Sequence, residues 1–376
     1  MQYQPDVLTL TNEKDSCLSI NGFTMKLLYI TRKYPPMVGG MEKLSYALAK
    51  EFQRNTDTTL ITWGKSQKYL PFVIPYFLVK AIYLIPTKKI DHLHIGDGLL
   101  APLGLLLKII FGLKTTITIA GLDITFNFPG YQLVVPWCVS KMDKAFCISS
   151  ATLEECAKRG IPKEKLVVIP CGVYPEDWKV TTTRKDLEKI VGQNLDGTKV
   201  LITVGRLVKR KGVYWFIENV MPQLNEKYIY LVIGDGPEKE RILELIQTKN
   251  LQKRVQLLGK ISDKQLKIIY NTADLFVMPN IKVDNNIEGF GIVAIEASST
   301  GLPIVASDME GISSAVVNGK TGFLVKSMDK NEYIKALDVL NKFDRISVSE
   351  ITKRNYSWDS IGKLYIKSIN SMNSYE

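Results

Sequence analysis

The stretch "VLITVGRLVKRKG", residues 200–212, runs from five apolar or β-branched residues through a glycine into a loop with two arginines and two lysines. Val200–Val204 reads as a strand buried on both faces, because no polar residue alternates regularly with the apolar ones. Gly205 lets the chain turn sharply at the strand's carboxyl end. A helical pattern, "YWFIENVMPQLN", follows from residue 214. Strand, loop and helix in this order form half of a βαβ unit and call for a parallel sheet.

The same alternation extends in both directions. Downstream stand "YIYLVIGDG" (228–236), "PEKERILELIQTKN" (237–250), "VQLLG" (255–259), "DKQLKIIYNTA" (263–273), "DLFVMP" (274–279), a helix from about Phe290, "LPIVASD" (302–308) and "GFLV" (322–325). Upstream, strand-like runs at 26–31, 58–63, 90–95, 114–119, 144–149 and 166–169 are separated by helical patterns such as "MEKLSYALAKEFQRN" (41–55) and "APLGLLLKIIFG" (101–112). The chain of 376 residues is long enough for two cores. We therefore expect an α/β fold of two doubly wound, Rossmann-like domains, at 25–178 and 200–356. A polar linker is expected at 179–199, "KVTTTRKDLEKIVGQNLDGTK", and an extension at 1–24. Ligands of such folds bind at the carboxyl ends of the strands, here in a cleft faced by both sheets.

Composition narrows the chemistry. A hydrophobic content of 45% with 23% charged residues is that of a globular protein. The five cysteines are scattered without metal-ligand spacing or disulfide density, and only His92 and His94 offer imidazoles. A cytoplasmic protein with no bound metal fits these counts. The apolar runs at 70–86 and 99–113 are short and broken by Pro, Gly and Lys, so neither is expected to span a membrane. They suit core helices or a surface that rests on a membrane. The net charge of +11 asks for an anionic partner, and the dispersal of the lysines argues against nucleic acid.

Two stretches carry chemistry. Arg206 and Lys211, five positions apart in the loop after the strand, can flank a diphosphate, or simply belong to a solvated basic loop. In "EGFGIVAIE" (288–296), Glu288 and Glu296 bracket a helix start whose free N–H groups suit a phosphate or hydroxyl. Two acids beside an anion site suggest a polyol ligand, against the plainer reading of a dipole-compensating Glu288 and a surface Glu296.

The order Gly-Arg-x4-Lys-Gly, "GDGP" (234–237), "LLGKISDKQL" (257–266), Glu-x7-Glu, "GLPIVASD" and "NGKTGFLV", from about Met25 to the carboxyl end, resembles the retaining glycosyltransferases of the two-Rossmann-domain (GT-B) class, family 4 or glycosyl transferases group 1. The resemblance implies a hexosyltransferase, metal-independent and without cofactor, of the kind used in polysaccharide biosynthesis. It would move a sugar from a UDP- or GDP-sugar to a hydroxyl of a glycan or lipid-linked acceptor, working in the cytoplasm or at the cytoplasmic membrane face.

The positions carry over one by one. Arg206 and Lys211 would neutralise the diphosphate, aided by Gly205 and by Gly39 and Gly40 of "PPMVGGMEKL"; Glu296 would hold the ribose. Glu288 and the amides of Phe290, Gly291 and Ile292 would contact the sugar, and Leu258, Gly259 and Ile261 the base. The closing helix "YSWDSIGKLYIKSI" (356–369) would return residues from about 357 onward to the first, acceptor-side domain, leaving 200–356 to bind the donor. The family's His-Gly-x-Asp appears as Ala120-Gly121-Leu122-Asp123, which keeps Asp123 as a contact to donor or acceptor but lacks the histidine. Ser313 and Ser314 depart from the family's Pro-Glu. A binding protein that has lost catalysis, or a nucleotide-sugar epimerase of the same fold, remains an alternative on these residues.

Overall fold

The computed structural model describes residues 25–284, 286–338 and 342–372. The expected extension at 1–24, with Cys17, lies outside them. The chain divides into two compact units, one ending at Cys171 and resuming at Ile361, the other Gly172–Ser360.

The first unit holds β1 (Lys26–Thr31), β2 (Asp57–Thr62), β3 (His92–Ile95), β4 (Lys114–Ile119), β5 (Lys144–Cys147) and β6 (Leu166–Val168), all parallel, in the order β2-β1-β3-β4-β5-β6. The second holds β7 (Lys199–Val204), β8 (Tyr228–Ile233), β9 (Val255–Gly259), β10 (Leu275–Met278), β11 (Ile304–Ser307) and β12 (Gly322–Val325), also parallel, in the order β12-β11-β10-β7-β8-β9. Both are doubly wound α/β sheets, as the alternation implies. Each reverses direction once, between β1 and β3 and between β7 and β10, and the carboxyl ends at those reversals are where such sheets take ligands.

The expected linker is corrected. Residues 172–199 belong to the second unit, and within them Arg184–Val191 is a helix with a capping box between Thr183 and Asp186. Its apolar residues Leu187 and Val191 are buried, and Arg184 reaches the Thr272 carbonyl at 3.0 Å and the Asp274 carboxylate at 3.1 Å. The segment's polarity, which suggested a linker, is one solvated helix face. A helix at Tyr131–Ser140 also went unanticipated, because Pro136 sits inside it. The run at 70–86 is longer than its apolar letters: Gln67–Lys88 forms 22 continuous helical residues whose most apolar 18 have a mean hydropathy of 1.6, long and apolar enough to cross a membrane by length and composition.

The chain re-enters the first unit within helix Trp358–Asn370. Tyr365, fully buried, lies edge-on to Phe52, His94 and Phe146, with its hydroxyl 3.3 Å from Thr118 Oγ1. Tyr365→Ala should therefore destabilise the first unit by about 3–5 kcal/mol, the cost of emptying a large aromatic site, whereas Tyr365→Phe should cost under about 1 kcal/mol; urea unfolding measures both.

Candidate active site

In the second unit the loop after β7 and the loop after β10 meet. Gly212, at φ +66°, has the Pro279 carbonyl oxygen 1.7 Å from where a β-carbon would stand, so only glycine lets the two backbones approach. Across this contact Lys211 Nζ lies 2.7 Å from Glu288 Oε2, with both residues buried. The Asn280 amide donates to the same oxygen at 3.2 Å, and Arg210 Nε stands 3.4 Å away. Burial alone would raise the Glu288 pKa. The charges of Lys211 and Arg210 and the bonds from Lys211 and Asn280 outweigh it and hold the carboxyl below its usual range.

The Glu288 loop is pinned from behind. Glu310 accepts the Glu288 backbone N–H at 2.5 Å, and the Gly311 N–H donates to the Glu288 carbonyl at 3.0 Å. Burial and the neighbouring Glu288 charge raise the Glu310 pKa, against the lowering pull of that N–H, Arg210 and Lys282. Nearby, Ser313 bonds Asp308 at 2.7 Å and the Ser314 carbonyl takes the Tyr356 hydroxyl at 2.9 Å, so both serines help anchor the turn.

The Lys211 side chain passes beside Gly205, which opens onto a cavity of about 540 Å³ lined by Gly205, Arg206, Gly234, Asp235, Gly236 and Lys260. Arg206 is exposed and, among the described residues, makes no ion pair. Gly234 packs against the Gly205 carbonyl and donates its N–H to the Gly259 carbonyl at 2.8 Å, which ties the end of β9 to this loop; of that stretch Lys260 lines the cavity, whereas Leu258, Gly259 and Ile261 are not among its lining residues. Glycine amides with an arginine and a lysine at a strand-end cavity form a place for phosphate oxygens.

The remaining predicted positions of this unit lie at the start of the next helix and within it. Gly291, at φ +90°, precedes helix Ile292–Ser299, and the Phe290 ring is buried edge-on to Tyr356, leaving only backbone to offer a ligand. Glu296 is buried inside that helix beside Tyr270, whose phenol is held well above its usual range by burial and then by the Glu296 carboxylate. Arg210, Lys260, Asn280 and Glu310 were not singled out from sequence. Arg210 and Lys260 stand within quoted motifs, but only the folded loops reveal which basic residue faces which acid.

The first unit holds its own polar cluster at the ends of β1, β3 and β4. Arg32 Nε bonds Asp97 Oδ1 at 2.9 Å and Arg32 Nη1 bonds Gln67 Oε1 at 2.6 Å. Asp97 is buried, takes the Leu99 N–H at 3.1 Å, and has its second oxygen unpartnered. Asp123 accepts the Gly98 and Ala120 amides at 3.1 and 2.9 Å, which fixes the turn that carries Ala120. Burial first, then Asp97, pushes its pKa up to about 6 against those two amides. Gly39 and Gly40 open helix Gly40–Asn55 with no side-chain cap. His92 and His94 are interior: they bond Thr116 and Thr118 at 2.8–3.0 Å, and burial lowers both pKa values, that of His92 to about 4, so both are neutral.

Residues 185–354 match the family model described as Glycosyl transferases group 1. The second unit is a group 1 glycosyltransferase domain. The chain is accordingly an enzyme that transfers sugars. This glycosyltransferase is 25% identical to the Uncharacterized glycosyltransferase MJ1607 of Methanocaldococcus jannaschii, over 90% of this chain and 96% of that one. It is 28% identical to the UDP-Gal:alpha-D-GlcNAc-diphosphoundecaprenol alpha-1,3-galactosyltransferase of Escherichia coli, over 69% of this chain and 68% of the relative. Among solved structures, that of Anabaena Alr3699/HepE in complex with UDP matches in fold with a TM-score of 0.75 at 18% identity, over 92% of this chain and 100% of that one.

Two outcomes follow for the glycosyltransferase in solution. Lys211→Met strands a buried carboxylate and should lower stability by about 3 kcal/mol, part of which Glu288→Gln restores in the double variant, as denaturant unfolding would record. Asp123 holds its proton to higher pH folded than unfolded, so its stabilisation is complete below about pH 4 and lost as pH rises through about 6. Asp123→Asn should remove that decline, worth about 3 kcal/mol in full from below pH 4 to well above pH 6.

Proposed function

We propose that the chain is a retaining, metal-independent glycosyltransferase that moves a sugar from a nucleotide-diphosphate sugar to a hydroxyl of a glycan or lipid-linked acceptor in the cytoplasm. The observation that carries this reading is the joining of Lys211 and Glu288 at 2.7 Å beside the Gly205–Arg206 cavity. A cationic floor for the diphosphate and an acid for sugar hydroxyls stand side by side. The E. coli relative, which by its name uses UDP-Gal and a diphosphoundecaprenol acceptor, supports a UDP-sugar and a lipid-linked acceptor here.

In the proposed reaction the bond between the anomeric carbon and the diphosphate oxygen breaks, and its electron pair leaves with the nucleotide. Arg206, Lys211 and Lys260 stabilise that growing charge. The acceptor oxygen bonds to the same carbon on the face being vacated, and its proton passes to a phosphate oxygen, which retains configuration. Asp123 acts as a positioning residue for the Ala120–Gly121 turn. The histidine of the related motif has no counterpart here, and the phosphate takes its proton-accepting role.

Incubation with a panel of UDP- and GDP-sugars, following nucleotide release and the anomer formed, tests the proposal. Arg206→Ala, an exposed position, should cut turnover by roughly 100-fold with unchanged melting, and a chelator should leave the rate unaltered. Failure of every donor to bind at millimolar concentration, or formation of the inverted anomer, would overturn it.

A further inference from the structure

The first unit presents three helices whose outward residues are apolar. Helix Leu70–Lys88 shows Phe72, Tyr76, Val79 and Tyr83 to solvent along one stripe, while Val73, Phe77, Ala81 and Ile85 face the core. Helix Ala101–Phe111 packs against it and exposes Leu106, Ile109 and Ile110. Helix Tyr131–Ser140 packs against that one in turn and exposes Leu133, Val134 and Trp137. Ile109 at 72%, Phe72 at 77% and Leu133 at 79% exposure are not incidental surface residues, because they lie on adjoining helices. Phe126 and Phe128, stacked and exposed, prolong this surface past Asp123.

Charge decides what covers it. No acidic residue occurs from Gly64 to Ile90 or from Gly98 to Phe111, and in 122–141 the sole acid is the buried Asp123. Lysines rim the face: Lys68 lies 5.0 Å from the Tyr69 ring, Lys80 5.7 Å from Tyr76 and Lys65 6.0 Å from Trp63, with Lys88 and Lys89 exposed at the far end. Lysine beside exposed aromatic rings suits the boundary between lipid phosphates and acyl chains. A second copy would set lysine against lysine. A spanning orientation of Leu70–Lys88 would draw Lys80 into hydrocarbon and take Val73, Phe77, Ala81 and Ile85 out of the core.

We infer that this three-helix face docks the chain on an anionic bilayer, with helix Leu70–Lys88 lying in the interfacial plane. The stacked phenylalanines then bring the strand ends that carry Asp97 and Asp123 next to the lipid. The inference goes beyond the transfer chemistry and is independent of donor and acceptor.

Co-sedimentation of the full chain with vesicles of phosphatidylcholine, with and without phosphatidylglycerol, tests it. We expect binding at least roughly tenfold stronger to the anionic vesicles, weakened by salt, and a further loss of about tenfold in Phe72→Asp or Ile109→Asp, whose melting and nucleotide release in solution stay unchanged. Equal or absent binding to both vesicles, or indifference to both substitutions, overturns the inference. So does resistance to alkaline extraction, which would mean spanning, or self-association without vesicle binding that the substitutions abolish, which would assign the face to a second copy. Vesicle binding by a chain that turns over no donor would sustain the docking face while overturning the transfer reading.

Discussion

The Lys211–Glu288 contact is the constraint around which the second unit's site is built. Each ion withdrawn from water costs several kcal/mol, and only a close partner with further hydrogen bonds offsets that cost. The 2.7 Å approach requires two loops on neighbouring strands to touch, and they touch because Gly212 admits the Pro279 carbonyl. Asn280 and Arg210 complete the shell around Glu288, and Glu310 and Gly311 hold its backbone. Removing water from this pair and ordering the cavity beside it are one structural event.

The alternation of strand and helix was legible because it is local: apolar period and turn residues decide it within each segment. "VLITVG" and "LPIVASD" became β7 and β11 within a residue or two of their apolar limits. Where polarity and amphipathicity coincide the reading failed, as in 179–199, whose charges lie on a capped helix packed through two residues. Pro136 hid another helix, since a proline inside an apolar run reads as an interruption.

The candidate site was partly legible for a related reason. Arg206, Lys211, Glu288 and the glycines stand out as residue types at strand ends. Their pairing does not, because an ion pair linking positions 77 residues apart in sequence, 211 and 288, depends on strand order. Arg210 looked like Lys209 in sequence, yet only Arg210 stands beside the acid. In the first unit, His92 and His94 are buried against Thr116 and Thr118, and His94 also against the Phe52 and Phe146 rings, so both serve the core.

Tyr365 also ties the order of folding to the order of synthesis. The strands it packs over are finished by Cys147, but the helix that carries it begins at Trp358. At about 5–20 residues per second the ribosome needs roughly 10–40 s to make the residues between. For that time the nascent first unit lacks the Tyr365 ring that lies edge-on to Phe52 and Phe146, and a product cut short before Trp358 never gains it.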